Sequence, residues 1–170
     1  MESVNSPEYA MDLRRTAELA SEVLLRIPVS APALAPQSHR WSAPQILGHL
    51  IDSASINHQR FVRAQFQDHL VFSTYDQDRW VAAQHHTASS WKTLVQLWAM
   101  YNHHIAHIME FVPPEVRERV SHRHNFHQIA WKTIQENVPT TLDYLMRDYV
   151  AHLKHHLDQM NQLPGITLAY

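Results

Sequence analysis

Fifteen of the 170 residues are histidine and none is cysteine. A transition-metal site in this chain must therefore be built from imidazole and carboxylate, with thiolate excluded. Two histidine pairs, His103/His107 and His152/His156, stand four residues apart, the spacing that places two side chains on one face of a helix. Two stacked imidazoles supply half or more of the ligands of a zinc- or nickel-type centre. With so many histidines, chance alone supplies on the order of one such pair, so spacing decides little without its surroundings.

The surroundings separate the pairs. Leu142, Leu145, Tyr149, His152, His156 and Leu163 advance by steps of three and four, skipping one position before Leu163, which is the pattern of a bundle seam. His152 and His156 are thus expected to point inward, where an unpartnered polar group costs roughly 1–3 kcal/mol. A shared metal would compensate both; two separate hydrogen bonds would also do so. Trp98, Asn102, Ile105 and Met109 define a different inner face, with His103 and His107 nearly opposite it, so those two read as solvated. His155 faces away from the seam. His122, His124 and His127 fall in a long connection, where they could line the mouth of a site. A third ligand must come from another helix, and periodicity leaves His49 and His58 both open. His49 sits beside Ser53, Ile56 and Arg60, on what is either an ordinary half-exposed face or a stripe lining a pocket.

Four helical segments must position these side chains. The first spans roughly Pro7 to Ile27, with Ser6 as N-cap, Pro7 at the first helical position and an apolar stripe of Leu13, Ala17, Ala20, Leu24 and Ile27. Pro28, Pro32 and Pro36 stop it. The second spans roughly Ala43 to Gln67 behind a Ser42/Gln45 capping box, with Ile46, Leu50, Ala54, Phe61 and Ala64 as core. Gly48 inside it costs about 1 kcal/mol relative to alanine and suggests a close approach or room for a ligand. The third runs roughly from Ser89 to Val112 and ends at Pro113-Pro114. The fourth runs roughly from Thr140 to Leu163, with Thr140 and Asp143 resembling a capping box and Pro164-Gly165 as the stop. Helices of about 20 residues and comparable length make an all-α four-helix bundle. The links from helix two to three and from three to four are long enough to cross the bundle, and links of that length are often functional.

Composition sets outer limits. The length fits one domain over residues 1–170 that needs no staple. Formal net charge is −2, from 14 Lys+Arg and 16 Asp+Glu. Arg117, Arg119 and Arg123 are diluted by Glu115 and Glu118, so nucleic acid is not an expected partner. No window approaches the ~18 apolar residues of a membrane span, and residues Met1 to Glu8 lack the pattern of a secretory signal. A soluble, cytoplasmic protein is expected. With two glycines against nine prolines, a turn-rich β fold is disfavoured.

Three blocks, in order, resemble the DinB/YfiT-like superfamily of metal-dependent four-helix-bundle enzymes: Trp41 through Ser53, continued by Arg60-Phe61; Tyr75-Asp76-Gln77-Asp78-Arg79-Trp80; and Thr141 through Tyr144 with His152 through His156. The resemblance spans roughly residues 41 to 160. It implies a bundle with long crossover connections, often a homodimer, holding nickel or zinc on His49, His152 and His156. It also implies either a hydrolase or a transferase that uses a low-molecular-weight thiol. Three histidines leave a coordination position for water, the pattern of catalytic zinc, and any thiolate must come from outside the chain. Leu153 stands where a thermolysin-type motif requires glutamate, so a general base must lie elsewhere. Asp52, one turn beyond His49, is the candidate base or orienter, and Asp148 the candidate orienter of His152. Arg60 is the candidate anion-binding residue. Tyr75 and Trp80 are candidates to close the pocket. A non-catalytic metal-binding or interaction bundle is the remaining alternative.

Overall fold

The computed structural model describes residues 6–28, 30–35 and 40–170. Pro36 and residues 1–5, used above, lie outside them. Among the described residues there are seven helices: α1 (Glu8–Leu24), α2 (Ala43–Arg63), α3 (Gln77–Gln84), α4 (Trp91–Phe111), α5 (Pro114–Arg117), α6 (Phe126–Ile129) and α7 (Leu142–Met160). The four long ones, α1, α2, α4 and α7, are those expected from periodicity. None is long and apolar enough to cross a membrane.

The helix ends show where local chemistry was misread. Pro7 itself occupies the N-cap of α1, with no side-chain cap from Ser6; the ring fixes φ at a value the preceding turn already needs. At α7 the cap is Thr141, whose hydroxyl accepts the Tyr144 N–H at 3.1 Å. Thr140 is instead used in the backbone, exchanging two hydrogen bonds with Ser121 at 2.7 and 3.1 Å. The α2 start is as expected: Gln45 Oε1 reaches back to the Ser42 N–H at 3.0 Å.

The long helices pack as a ring in the order α1, α4, α2, α7, back to α1. Sequence neighbours α1 and α2 thus stand diagonally, as do α4 and α7, and the connections between them must cross the bundle. The apolar positions read from sequence fill its centre. Leu13, Ala17, Ala20 and Leu24 of α1 are fully buried, as are Trp98, Ile105 and Met109 of α4. One polar pair crosses the diagonal: Tyr149 Oη donates to Asn102 Oδ1 at 2.6 Å, while Asn102 Nδ2 donates to the Trp98 carbonyl at 2.8 Å. Both residues are buried, so each needs such a partner.

The long connections are built, not loose. The α2–α3 link meets the α6 region through Leu70, which donates to the Arg123 carbonyl at 3.0 Å and accepts from Asn125 N–H at 3.3 Å. The Asn125 side chain then bonds both the N–H and the carbonyl of Phe72. His124 is part of this frame: one ring nitrogen bonds the Val138 carbonyl at 2.8 Å and the other accepts the Phe126 N–H at 3.1 Å. It is a structural histidine rather than a lining of a site mouth.

Gly48 gives the close approach expected of it, toward His86, which is 6% exposed. A β-carbon at position 48 would overlap the His86 imidazole. Overpacking costs roughly 1–3 kcal/mol, against roughly 1 kcal/mol of helix propensity gained by alanine. Gly48→Ala is therefore expected to lower the unfolding free energy in urea titrations of the wild-type background. The same change should raise it when made on top of His86→Ala.

Candidate metal centre

Along α2, His49, Ser53, Asn57 and Arg60 are spaced by four, four and three residues and form one stripe. All four are buried. The stripe faces α7, whose His152 and His156 stand one turn apart. His156 is buried and His152 half-buried. The inward line of α7 runs through Leu142, Leu145, Met146, Tyr149, Val150, Leu153, Leu157 and Met160, broader than the seam read from sequence. The histidines sit on its flank toward α2, which leaves them beside a cavity rather than in the apolar centre.

The three imidazoles converge. His152 Nε2 lies 3.4 Å from His49 Nε2 and 3.0 Å from His156 Nε2. The rings meet edge to face at centroid separations of 5.3, 4.6 and 4.5 Å. One ligand atom from each lies within 4.8 Å of the others, and among the described residues this is the one such group of metal-ligand side chains. Nitrogens bound tetrahedrally to zinc at about 2.0–2.1 Å stand roughly 3.3–3.4 Å apart, so the spacing fits a divalent cation with little adjustment.

Electrostatics favour the ligand form. Burial holds the His49 ring neutral, its pKa lowered to about 3, with His156 adding to the effect. Burial likewise lowers His152 to about 3, helped by His156, His49 and His155. His156 is lowered by burial too, opposed by its bond to Gln159. Neutral imidazole is what a metal binds. The Gln159 side-chain oxygen lies 2.8 Å from His156 Nδ1. It therefore accepts a hydrogen bond from Nδ1–H and leaves the Nε2 lone pair toward the cluster, the role of an outer partner in metal sites. Trp41 covers the group, its ring 5.2 Å from His49 and 6.5 Å from His156.

A cavity of about 330 Å³ opens beside His49 and His152. Its lining includes Arg60, Tyr75, Trp131, Asp148 and Tyr149. The wall opposite α2 comes from the α6 end of the last connection, and Asp148 fixes it: its two carboxylate oxygens accept the backbone N–H groups of Trp131 and Lys132, each at 2.8 Å. Asp148 thus anchors the wall instead of orienting His152.

Other expected roles change in a similar way. Asp52 is buried at 4% exposure, but its Oδ1 accepts from Gln84 at 2.7 Å, and it makes no hydrogen bond to His49. His58 turns to Tyr101 and His104. His155 lies tilted against Trp131 at 5.1 Å and edge-on to His156 at 5.3 Å, so it borders the centre. His103 is half-buried near Glu18, and His107 is exposed beside Phe111. His122 is exposed and His127 half-buried. Tyr75 lines the cavity and packs on Trp80 at 4.9 Å. Gln159, Trp131 and Tyr149 had no assigned part in the site. Gln159 lies three residues beyond His156, a spacing that periodicity could have flagged.

No family model and no curated protein sequence matches this chain. A solved structure does: YfiT from Bacillus subtilis, described as "a probable metal-dependent hydrolase with an unusual four-helix bundle topology". It superposes with a TM-score of 0.72 over 95% of this chain and 89% of that one, at 13% sequence identity. The chain shares the four-helix-bundle fold of YfiT. At that identity the likeness to YfiT is one of backbone arrangement.

Neutral buried histidines carry a pH signature. The unfolded chain takes up protons below about pH 6.5, whereas folded His49 and His152 resist them until about 3. Stability is therefore greatest above pH 6.5 and falls on acidification. In chelator-treated protein the slope should approach about 2.7 kcal/mol per pH unit for the two together. Urea unfolding from pH 7 to 4 measures it, and His49→Ala/His152→Ala should flatten it.

Proposed function

We propose that the protein is a metal-dependent hydrolase whose divalent ion, zinc or nickel, is held by His49, His152 and His156 beside a small-molecule cavity. The supporting observation is the meeting of three neutral ring nitrogens from two helices at the edge of that cavity. The description of YfiT agrees with this reading. An ion so held supplies Lewis-acid chemistry, polarising a substrate oxygen and acidifying water. The chain supplies the rest. Gln159 holds the His156 proton on Nδ1. Asp148 holds the Trp131 wall against α7, restricting bulk water. Tyr75, whose hydroxyl burial pushes up to about 12, stays protonated and offers a donor. Asp52 fixes Gln84 at the end of α3, where the same amide reaches the Trp80 carbonyl, rather than meeting the histidines.

A second reading draws on a second cavity, about 660 Å³, lined by Trp41, Gln77, His156 and Gln159. Gln77 borders both cavities, so the histidine cluster is approached from two sides. That suits transfer to an external thiol as well as hydrolysis. The homodimer implied by the family resemblance is proposed to form along the outer face of α4. There Leu97, Met100, His104, His107 and Phe111 repeat at three- and four-residue steps and are exposed, the spacing of a helix-pairing seam.

Elemental analysis of purified protein is expected to find close to one zinc or nickel per chain, lost in His49→Ala and in His152→Ala. Gln159→Leu should retain the helical circular-dichroism signal and weaken metal affinity about 10–100-fold. Full metal retention by His49→Ala would refute the ligand set. A product-release screen of small amides and esters, with and without added thiol, separates the two readings.

A further inference from the structure

Among the described residues Arg60 is the one buried arginine, and it has no acid beside it, whereas less buried arginines do. Arg14 pairs with Glu110 at 2.9 Å, and Arg117 and Arg147 both reach Asp143. Arg60 is 5% exposed and, among the described residues, takes part in no ion pair. Its partners are neutral: the Ser73 carbonyl at 3.1 Å and Asn57 Oδ1 at 3.4 Å. Its Nε is buried with no partner at all. Guanidinium keeps its charge in proteins, and a buried charge without a counter-charge is costly. Such a residue is rarely found fully buried unless paired.

Its position says what would pair with it. Arg60 lines the same cavity as His49 and His152. It lies eleven residues along α2 from His49, about 16 Å along the axis and on the same face. Ser53 and Asn57 stand between them. The cavity's own carboxylate, Asp148, already has both oxygens engaged by backbone N–H groups. It is not within ion-pair distance of Arg60.

We propose that Arg60 anchors a carboxylate on the substrate, at the end of the cavity remote from the three histidines. This rests on the hydrolase reading above and narrows it to small molecules carrying an acid group at one end and the reacting bond at the other. A monoanion balances the single guanidinium. At the Arg60 end, remote from the ion held by the histidines, a phosphate dianion would leave excess negative charge beside one guanidinium.

The test uses calorimetric titration of the full chain, both chelator-treated and zinc-loaded. The probes are N-acetylglycine, its neutral counterpart N-acetylglycinamide, and inorganic phosphate. N-acetylglycine should bind at least tenfold tighter than the neutral amide in both states. The chelated arm excludes contact with metal as the cause, so failure of metal binding and failure of this assignment are read separately. Arg60→Met should abolish the preference, hold zinc as wild type does, and melt no lower than wild type because a buried unpaired charge is gone. Arg60→Lys should retain part of the preference. Equal binding of acid and amide by the chelated wild type overturns the proposal even if Arg60→Met does not fold. So does tighter binding of phosphate by the chelated wild type, or a preference that survives in folded, chelated Arg60→Met.

Discussion

Three uncharged imidazoles with their Nε2 atoms 3.0 and 3.4 Å from one another are an arrangement that protein packing alone does not favour. With each proton on Nδ1, the three Nε2 lone pairs face a common point, and a cation between them relieves their repulsion. Burial makes protonation expensive here, holding two of the rings near pKa 3. The same burial that discourages the proton leaves the nitrogens free for a metal. What surrounds the histidines follows from that balance. Gln159 sets the tautomer of one ring, Trp41 covers two of them, and the cavity opens on the remaining side.

The bundle meets this requirement by dividing the work between helices and connections. α2 and α7 are rigid, so His49 is brought to the His152/His156 pair by helix packing. The α4–α7 connection crosses a diagonal, and the α2–α4 connection, though it joins ring neighbours, is also far longer than a short turn. Their length is used: one contributes Tyr75 and α3, the other the α6 end and the Trp131 wall. They are tied to each other through Leu70, Asn125 and His124, and to α7 through Asp148. Buried backbone groups that no helix can satisfy are satisfied across elements instead.

The periodic parts of this structure could be read from the sequence. The four long helices, their apolar stripes and the inward lean of His152 and His156 follow from spacing. So did the possibility that His49 and Arg60 share a pocket-lining stripe. The choice of His49 over His58 needed the family resemblance, because both lie on α2 and periodicity did not tell them apart. What escaped were contacts between residues far apart in sequence. Asp148 precedes His152 by one turn, as an orienting acid would, yet its partners are backbone N–H groups of residues 131 and 132. Asp52 stands one turn from His49 and bonds Gln84. Nothing in local spacing distinguishes a carboxylate that faces an imidazole from one that holds a loop. The short helix α3 was missed because its Asp76 N-cap heads only eight residues with one buried side chain, Val81.

The double grip of Asp148 on residues 131 and 132 has a mechanical meaning. One helix carries two of the clustered histidines and, one turn earlier, the clamp for the opposite side of the cavity. Turning α7 by a single residue position would swing both imidazoles aside and release the wall in the same movement. The aim of both α7 histidines and the hold on the wall are therefore set by the rotation of a single helix.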